Sequence, residues 1–194
     1  MTCSKSTSQS SRTWSVSSVY PFIVTTLKGL ADVSHVEGLI PKEFGQDAVE
    51  IAGSRALLET LEEQAVPWSI VTSGTRPLVS GWLHVMKLAH PKNIVTAEDV
   101  LNGKPDPACY EMGAKKLHLQ EKEPSIIVFE DAPAGVRSGK AAGFVVVGLH
   151  TTHTLEQLVE AGADYIVSDM RSVSLKSWDK IAGQGEVQIV NALV

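Results

Sequence analysis

The sequence predicts an α/β domain built on a parallel sheet, and three observations carry that prediction. From Gly53 onward, short runs rich in β-branched and aromatic residues alternate with segments of helical hydrophobic period. That is the pattern of strand–helix–strand units joined by right-handed crossovers. The run Ile126–Phe129 is short and continuously apolar, as expected of a strand covered on both faces. Directly after it stand Glu130 and Asp131, then Pro133 placed to open a helix and Gly143 to close it. The unit is strand, acidic tip, helix. In an open parallel sheet the carboxyl ends of the strands line the binding crevice, so both acids fall where such folds bind ligands.

Composition limits the function classes. A chain of 194 residues with 43% hydrophobic and 20% charged residues has the make-up of one ordinary globular domain. No apolar run is long enough to span a bilayer as a helix. A net charge of −5 without a Lys/Arg-rich cluster argues against a broad nucleic-acid or membrane surface, while leaving room for one local anion site. Cys3 and Cys109 lie far apart without metal spacing and read as reduced thiols of a cytoplasmic protein.

The first eighteen residues are dominated by Ser and Thr, with Lys5 and Arg12 and no acid, and read as a disordered arm; a transit peptide is the alternative. The arm extends to residue 33 and the core domain occupies 34–194. Within the arm, Tyr20–Leu27 (YPFIVTTL) is a spare β-rich run. Ser34–Gln46 reads as a loop with one short helix at most. A helix begins at Gly53-Ser54 with Ala56, Leu57, Leu61 and Ala65 at helical spacing and stops before Pro67.

Trp68–Thr72 is a strand, followed by the small-residue turn Ser73-Gly74-Thr75 and a helix from about Pro77 with a buried stripe of Leu78, Trp82, Val85 and Leu88. Strand, small turn, helix points backbone amides at an anion. A short strand at Asn93–Ala97 leads to Lys104, which Pro105 and Pro107 hold in a stiff loop before a helix running to Leu117. Phe144–Leu149 is another buried strand, Thr154–Gln157 a capping box opening a helix to Ala161, and Tyr165–Val167 a last strand before a helix between Ser172 and Ile181. His150 and His153, without a third ligand nearby, read as surface histidines.

Three polar features thus close three strands or the loops after them: Thr72-Ser73, Lys104, and Glu130-Asp131. A hydroxyl with turn amides, a cation and two oxygen anions suit a phosphoryl group with a hard divalent cation such as Mg²⁺. Acids at a strand end before a helix N-terminus also serve solvation and the helix dipole alone.

The stretches VEGLIPKEFGQDAVEIAGS, IVTSGTRPLV, GKPDPACY, VFEDAPAGVRSGKAAGF and TTHTLEQL resemble, in this order, the haloacid dehalogenase superfamily of hydrolases. They are most like its fungal glycerol-phosphate and 2-deoxyglucose-phosphate phosphatases. The resemblance implies a Rossmann-like core in which Thr72 and the Ser73 amide bind phosphate, Lys104 neutralises nucleophile and phosphate, and Glu130 and Asp131 hold Mg²⁺. Members of the superfamily also carry a first strand ending in Asp-x-Asp-Gly-Thr, whose first Asp attacks phosphorus, and a helical cap. No such motif occurs here, so the chain reads as an N-terminally truncated or divergent member, with the first strand and most of the cap missing or replaced.

Tyr20–Leu27 is then the expected occupant of the vacated strand position, and self-association another way to cover it. Two functions follow from the resemblance: Mg²⁺-dependent hydrolysis of a small sugar or polyol phosphate, or binding of a phosphorylated metabolite or partner protein without turnover. A phosphatase of fungal secondary metabolism is a third reading. Loss of both aspartates would cost several powers of ten in rate.

Overall fold

The structure, a computed structural model, describes residues 30–119 and 126–194. The expected arm at residues 1–18 and the expected strand Tyr20–Leu27 lie outside the described residues. Thirteen regular elements follow one another among those described: α1 (Leu30–Phe44), α2 (Ser54–Glu63), β1 (Ser69–Val71), α3 (Arg76–Met86), β2 (Asn93–Val95), α4 (Ala108–Lys116), β3 (Ile127–Glu130), α5 (Pro133–Ala141), β4 (Val145–Leu149), α6 (Leu155–Glu160), β5 (Tyr165–Val167), β6 (Val173–Asp179) and β7 (Gln184–Ile189).

The parallel α/β expectation holds, in two separate parallel sheets. β1 pairs with β2, and β3, β4 and β5 form a three-stranded sheet with β4 in the middle. β4 (VVVGL) reads as continuous hydrophobicity because both of its faces are covered. Val128, Val146 and Ile166 pack in one cluster with Tyr110, Val136, Phe144 and Leu158. Val147, Leu149 and Val167, one residue out of phase, pack in a second with Leu57, Met170 and Val173. Small residues set helix-to-sheet distance: a Cβ on Gly139 would lie 2.8 Å from Val146, and one on Gly113 2.9 Å from Val71.

Two expectations fail. The supposed loop at Ser34–Gln46 is mostly α1, a 15-residue helix containing Pro41. Gly38 and Pro41 look like helix breakers, yet here they are points of close packing. A Cβ on Gly38 would sit 2.9 Å from Pro77, and one on Gly81 of α3 2.8 Å from the Pro41 ring. Tertiary packing overrides local propensity. The second failure is the helix expected between Ser172 and Ile181, which is the antiparallel hairpin β6–β7 with an irregularity at Leu175/Ser177. Val173 and Leu175 alternate with polar residues at period two, and Val173, Val187 and Ile189 join the second core cluster. Tyr165–Val167 is therefore not the last strand. In α3 the expected stripe residues are only half-buried, and Leu83 is the side chain it buries fully.

The remaining predicted elements appear within a few residues of their expected bounds. Pro107 caps α4, Pro133 opens α5, Gly143 takes φ +83° just past its end, and Thr154 and Gln157 form the capping box of α6.

Candidate functional site

Thr72 follows β1 directly and its amide donates to Val95 O (2.9 Å), while its Oγ1 accepts from the Gly74 amide (3.0 Å). The Thr72 hydroxyl thus serves as an acceptor within the turn. Ser73 is exposed, and its amide donates to no acceptor among the described residues. The next amides of this turn are taken by the chain's own carboxylates. Thr75 N donates to Glu37 Oε2 (2.8 Å) and Arg76 N to Glu98 Oε1 (2.9 Å). The donors expected for an anion at the start of α3 are thereby limited to Thr72 and Ser73.

Lys104 reaches across the gap between the two sheets. Its Nζ donates to Val71 O (3.2 Å), to Tyr110 Oη (3.0 Å) and, in a close ion pair, to Glu130 Oε1. An ammonium has three protons, and all three are used. It also sits 4.7 Å from the Tyr110 ring centroid. Glu130, only 8% exposed, is equally occupied: Oε1 takes Lys104 and the Tyr110 hydroxyl (2.6 Å), and Oε2 takes the amides of Asp131 (3.1 Å) and Ala132 (3.2 Å). Burial, and next the Glu130 charge beside it, push the Tyr110 hydroxyl well above the usual phenol range, so it stays protonated and donates.

Gly135 explains how a carboxylate fits there at all. A Cβ at this position of α5 would lie 2.1 Å from the Glu130 carboxyl carbon and Oε1. Only glycine leaves that space.

Asp131 turns the other way, as successive residues of extended backbone do. Its Oδ2 accepts from the Thr152 hydroxyl (2.6 Å), and Thr152 Oγ1 lies 3.0 Å from His153 Nδ1, which in turn lies 3.1 Å from Asp131 O. His153 is half-buried against Asp131, whereas His150 is exposed.

The site residues read from the sequence therefore divide. Lys104 and Glu130 meet in one buried network, Thr72 and Ser73 adjoin it through Val71, and Asp131 faces a separate Thr152–His153 pair. As placed, both oxygens of Glu130 are hydrogen-bonded within the protein. No group of three metal-binding His, Cys, Asp or Glu side chains occurs among the described residues, which leaves Asp131 as the carboxylate of this pair still able to offer an oxygen. The donors described here do not make a magnesium site by themselves. Tyr110, Thr152 and Gly135 were missed by sequence reasoning; the GKPDPACY stretch contained Tyr110, but nothing local tells that it turns inward onto Glu130.

Residues 33–149 match the haloacid dehalogenase-like hydrolase family. The chain belongs to that family. It is 38% identical over 166 residues to glycerol-1-phosphate phosphohydrolase 1 of Saccharomyces cerevisiae, a match covering 81% of this chain and 65% of that protein. It is 40% identical over 115 residues to 2-deoxyglucose-6-phosphate phosphatase 2 of the same yeast, covering 56% of this chain and 47% of the relative. Among solved structures, a hydrolase from Pseudomonas syringae superposes with a TM-score of 0.64 at 30% identity, covering 72% of this chain and 64% of the other. The chain thus spans about two thirds or less of these relatives. Among the described residues no helix is long and apolar enough to cross a membrane.

Proposed function

We propose that this haloacid dehalogenase-like protein takes the phosphate group of a small sugar or polyol phosphate into the crevice at the ends of β1 and β3 and hydrolyses the ester. The observation that carries the reading is the Lys104 ammonium, held 3.2 Å from Val71 O beside the Thr72–Ser73 turn. Thr72 offers a hydroxyl proton, Ser73 an amide, and Lys104 positive charge, which are the donors a phosphate dianion needs. The names of the yeast relatives support the substrate class.

Hydrolysis would move a water oxygen onto phosphorus and a proton onto the departing alkoxide. Lys104 balances charge on the phosphoryl oxygens, for which its bond to Val71 O or Tyr110 has to yield. Magnesium dependence belongs to the same proposal; it rests on Asp131 among the described residues and implies weak affinity. A cytoplasmic location is proposed with it.

A second reading has its own observation. Every proton of Lys104 and every oxygen of Glu130 is satisfied internally. This favours a crevice that binds phosphate esters without turning them over. One experiment separates the two: phosphate release from glycerol phosphate, 2-deoxyglucose phosphate and an aryl phosphate, with and without Mg²⁺, beside calorimetric binding of the same esters. Release that disappears in Lys104→Ala supports hydrolysis. Binding without release supports the second reading, and neither contradicts both.

A further inference from the structure

Successive backbone amides lead from the Thr72 turn into α3, and the protein's own oxygens take all but one of them. Gly74 N donates to Thr72 Oγ1 (3.0 Å), Thr75 N to Glu37 Oε2 (2.8 Å), and Arg76 N to both oxygens of Glu98 (2.9 and 3.2 Å). Pro77 has no amide proton, so Ser73 N is the amide of this stretch left unclaimed among the described residues. A helix N-terminus with several free amides can spread its donors over more than one anionic group. Here the donors end after one, and carboxylates stand where the next would lie.

Glu98 is held in that position by the end of β2. β1 and β2 run parallel with Val95 opposite Val71, so the short 3₁₀ turn Ala97–Asp99 lies at the same sheet end as Thr72. Ala97 N donates to Gly74 O (3.1 Å), and Thr96 and Asp99 close a capping box over the turn. Glu98 is exposed, whereas Glu37, on the neighbouring amide, is buried. Burial acts to raise the Glu98 pKa, but hydrogen bonds led by that from the Arg76 amide outweigh it and hold the carboxyl below its ordinary range. The nearby Arg76 guanidinium is committed elsewhere, to Asp99 Oδ2 (2.9 Å) and Thr96 Oγ1 (3.4 Å).

Ser73 N and Arg76 N are at most about 11 Å apart along the chain, comparable to the Debye length of about 10 Å at 0.1 M salt. A second phosphate carried toward α3 therefore meets a fixed negative charge instead of a helix amide. A hydroxyl carried there finds an acceptor, because a carboxylate offers about four lone-pair sites and the Arg76 amide does not fill those of Glu98. We propose that Glu98, with Glu37 next to it, is a specificity-determining residue that makes the crevice accept a single phosphate group on a hydroxylated body and reject bisphosphates. The inference rests on the phosphate-ester reading above and adds to it the charge that the rest of the substrate can carry. Attraction for a hydroxyl and repulsion of a second anion act through one side chain.

The test is calorimetric binding of glycerol phosphate, glycerol 1,3-bisphosphate and orthophosphate, without added Mg²⁺, to the full chain and to its Glu98→Gln and Glu63→Gln variants. Glutamine keeps an oxygen for the Arg76 amide and removes the charge. Glu63 ends α2, which leads into the start of β1, and so removes the same charge at the opposite edge of the sheet. The parent should bind the monophosphate at least about tenfold more tightly than the bisphosphate. Glu98→Gln should reduce that preference to about twofold or less, and Glu63→Gln should leave it as it is.

A parent that binds the bisphosphate as tightly as the monophosphate would overturn the proposal while leaving the phosphate site standing. So would a preference unaltered in Glu98→Gln, or one reduced equally in Glu63→Gln and therefore an effect of net charge. If none of the ligands bound, orthophosphate included, the phosphate-ester reading would fall and this proposal with it.

Discussion

Substituting Gly135 by alanine tests whether Glu130 is held as described. A helix interior ordinarily gains about 1 kcal/mol from glycine to alanine. Here the new Cβ would lie 2.1 Å from the carboxyl carbon and Oε1 of Glu130 and 2.4 Å from Oε2. A flexible side chain could move aside, but this carboxylate is fixed by Lys104, by the Tyr110 hydroxyl at 2.6 Å and by two amides. The Lys104 and Glu130 side chains are only 10% and 8% exposed, so displacement breaks a buried pair, a loss of about 3–5 kcal/mol. Net of the helical gain, Gly135→Ala should destabilise by about 2–4 kcal/mol in urea unfolding with an unchanged m value.

The double variant Glu130→Ala/Gly135→Ala removes the obstacle, and there the second substitution should stabilise by up to about 1 kcal/mol relative to Glu130→Ala alone. Gly103→Ala, with nothing within 4 Å of the new Cβ, provides a control. A Gly135→Ala protein as stable as the parent would refute the fixed carboxylate.

Tyr110→Phe removes a 2.6 Å hydrogen bond to a buried charge and should cost about 1.5–3 kcal/mol in the same urea assay; an unchanged midpoint would mean the hydroxyl is not engaged. Asp164 is paired with Lys140 (2.6 Å) and accepts from the Val146 amide (2.7 Å). Burial raises its pKa, but these bonds outweigh that and hold it below the ordinary value. A depressed folded-state pKa contributes stability above the unfolded value of about 3.9 that is lost as pH falls through the folded one. The stability gap between parent and Asp164→Asn should therefore shrink as pH drops below about 4, and a gap independent of pH would contradict this. Thr154→Ala removes the α6 cap, whose hydroxyl accepts from Gln157 N (3.3 Å), and should cost about 1 kcal/mol, read from the denaturation midpoint.

The elements legible in the sequence were those whose signal is local. Continuous apolar runs marked β3 and β4, Pro133 and Gly143 bracketed α5, and Thr154 with Gln157 announced α6. Where the signal was tertiary, the reading failed. Gly38 and Pro41 look like breakage until α3 supplies Pro77 and Gly81 to pack against. β6 alternates Val173 and Leu175 with polar residues, but its partner β7 lies past Gly183 and has a weaker pattern.

The candidate site shows the same division. That Glu130 and Asp131 sit at a strand tip is readable from the sequence, and that they point apart follows from the period of two. Which acid meets Lys104 depends on Tyr110 and Gly135, whose roles exist only once α4 and α5 are docked. His153 looked like a surface histidine because its partners, Thr152 and the Asp131 carbonyl, include one from another loop.

Orthophosphate titration followed by NMR most directly tests the claim that the Thr72–Ser73 turn and Lys104 form one anion site. The Ser73 amide resonance should shift saturably, together with that of Thr72, and Lys104→Ala should weaken the response by at least about tenfold. A Ser73 resonance that stays still at millimolar phosphate, or one that responds identically without the Lys104 ammonium, would contradict the account.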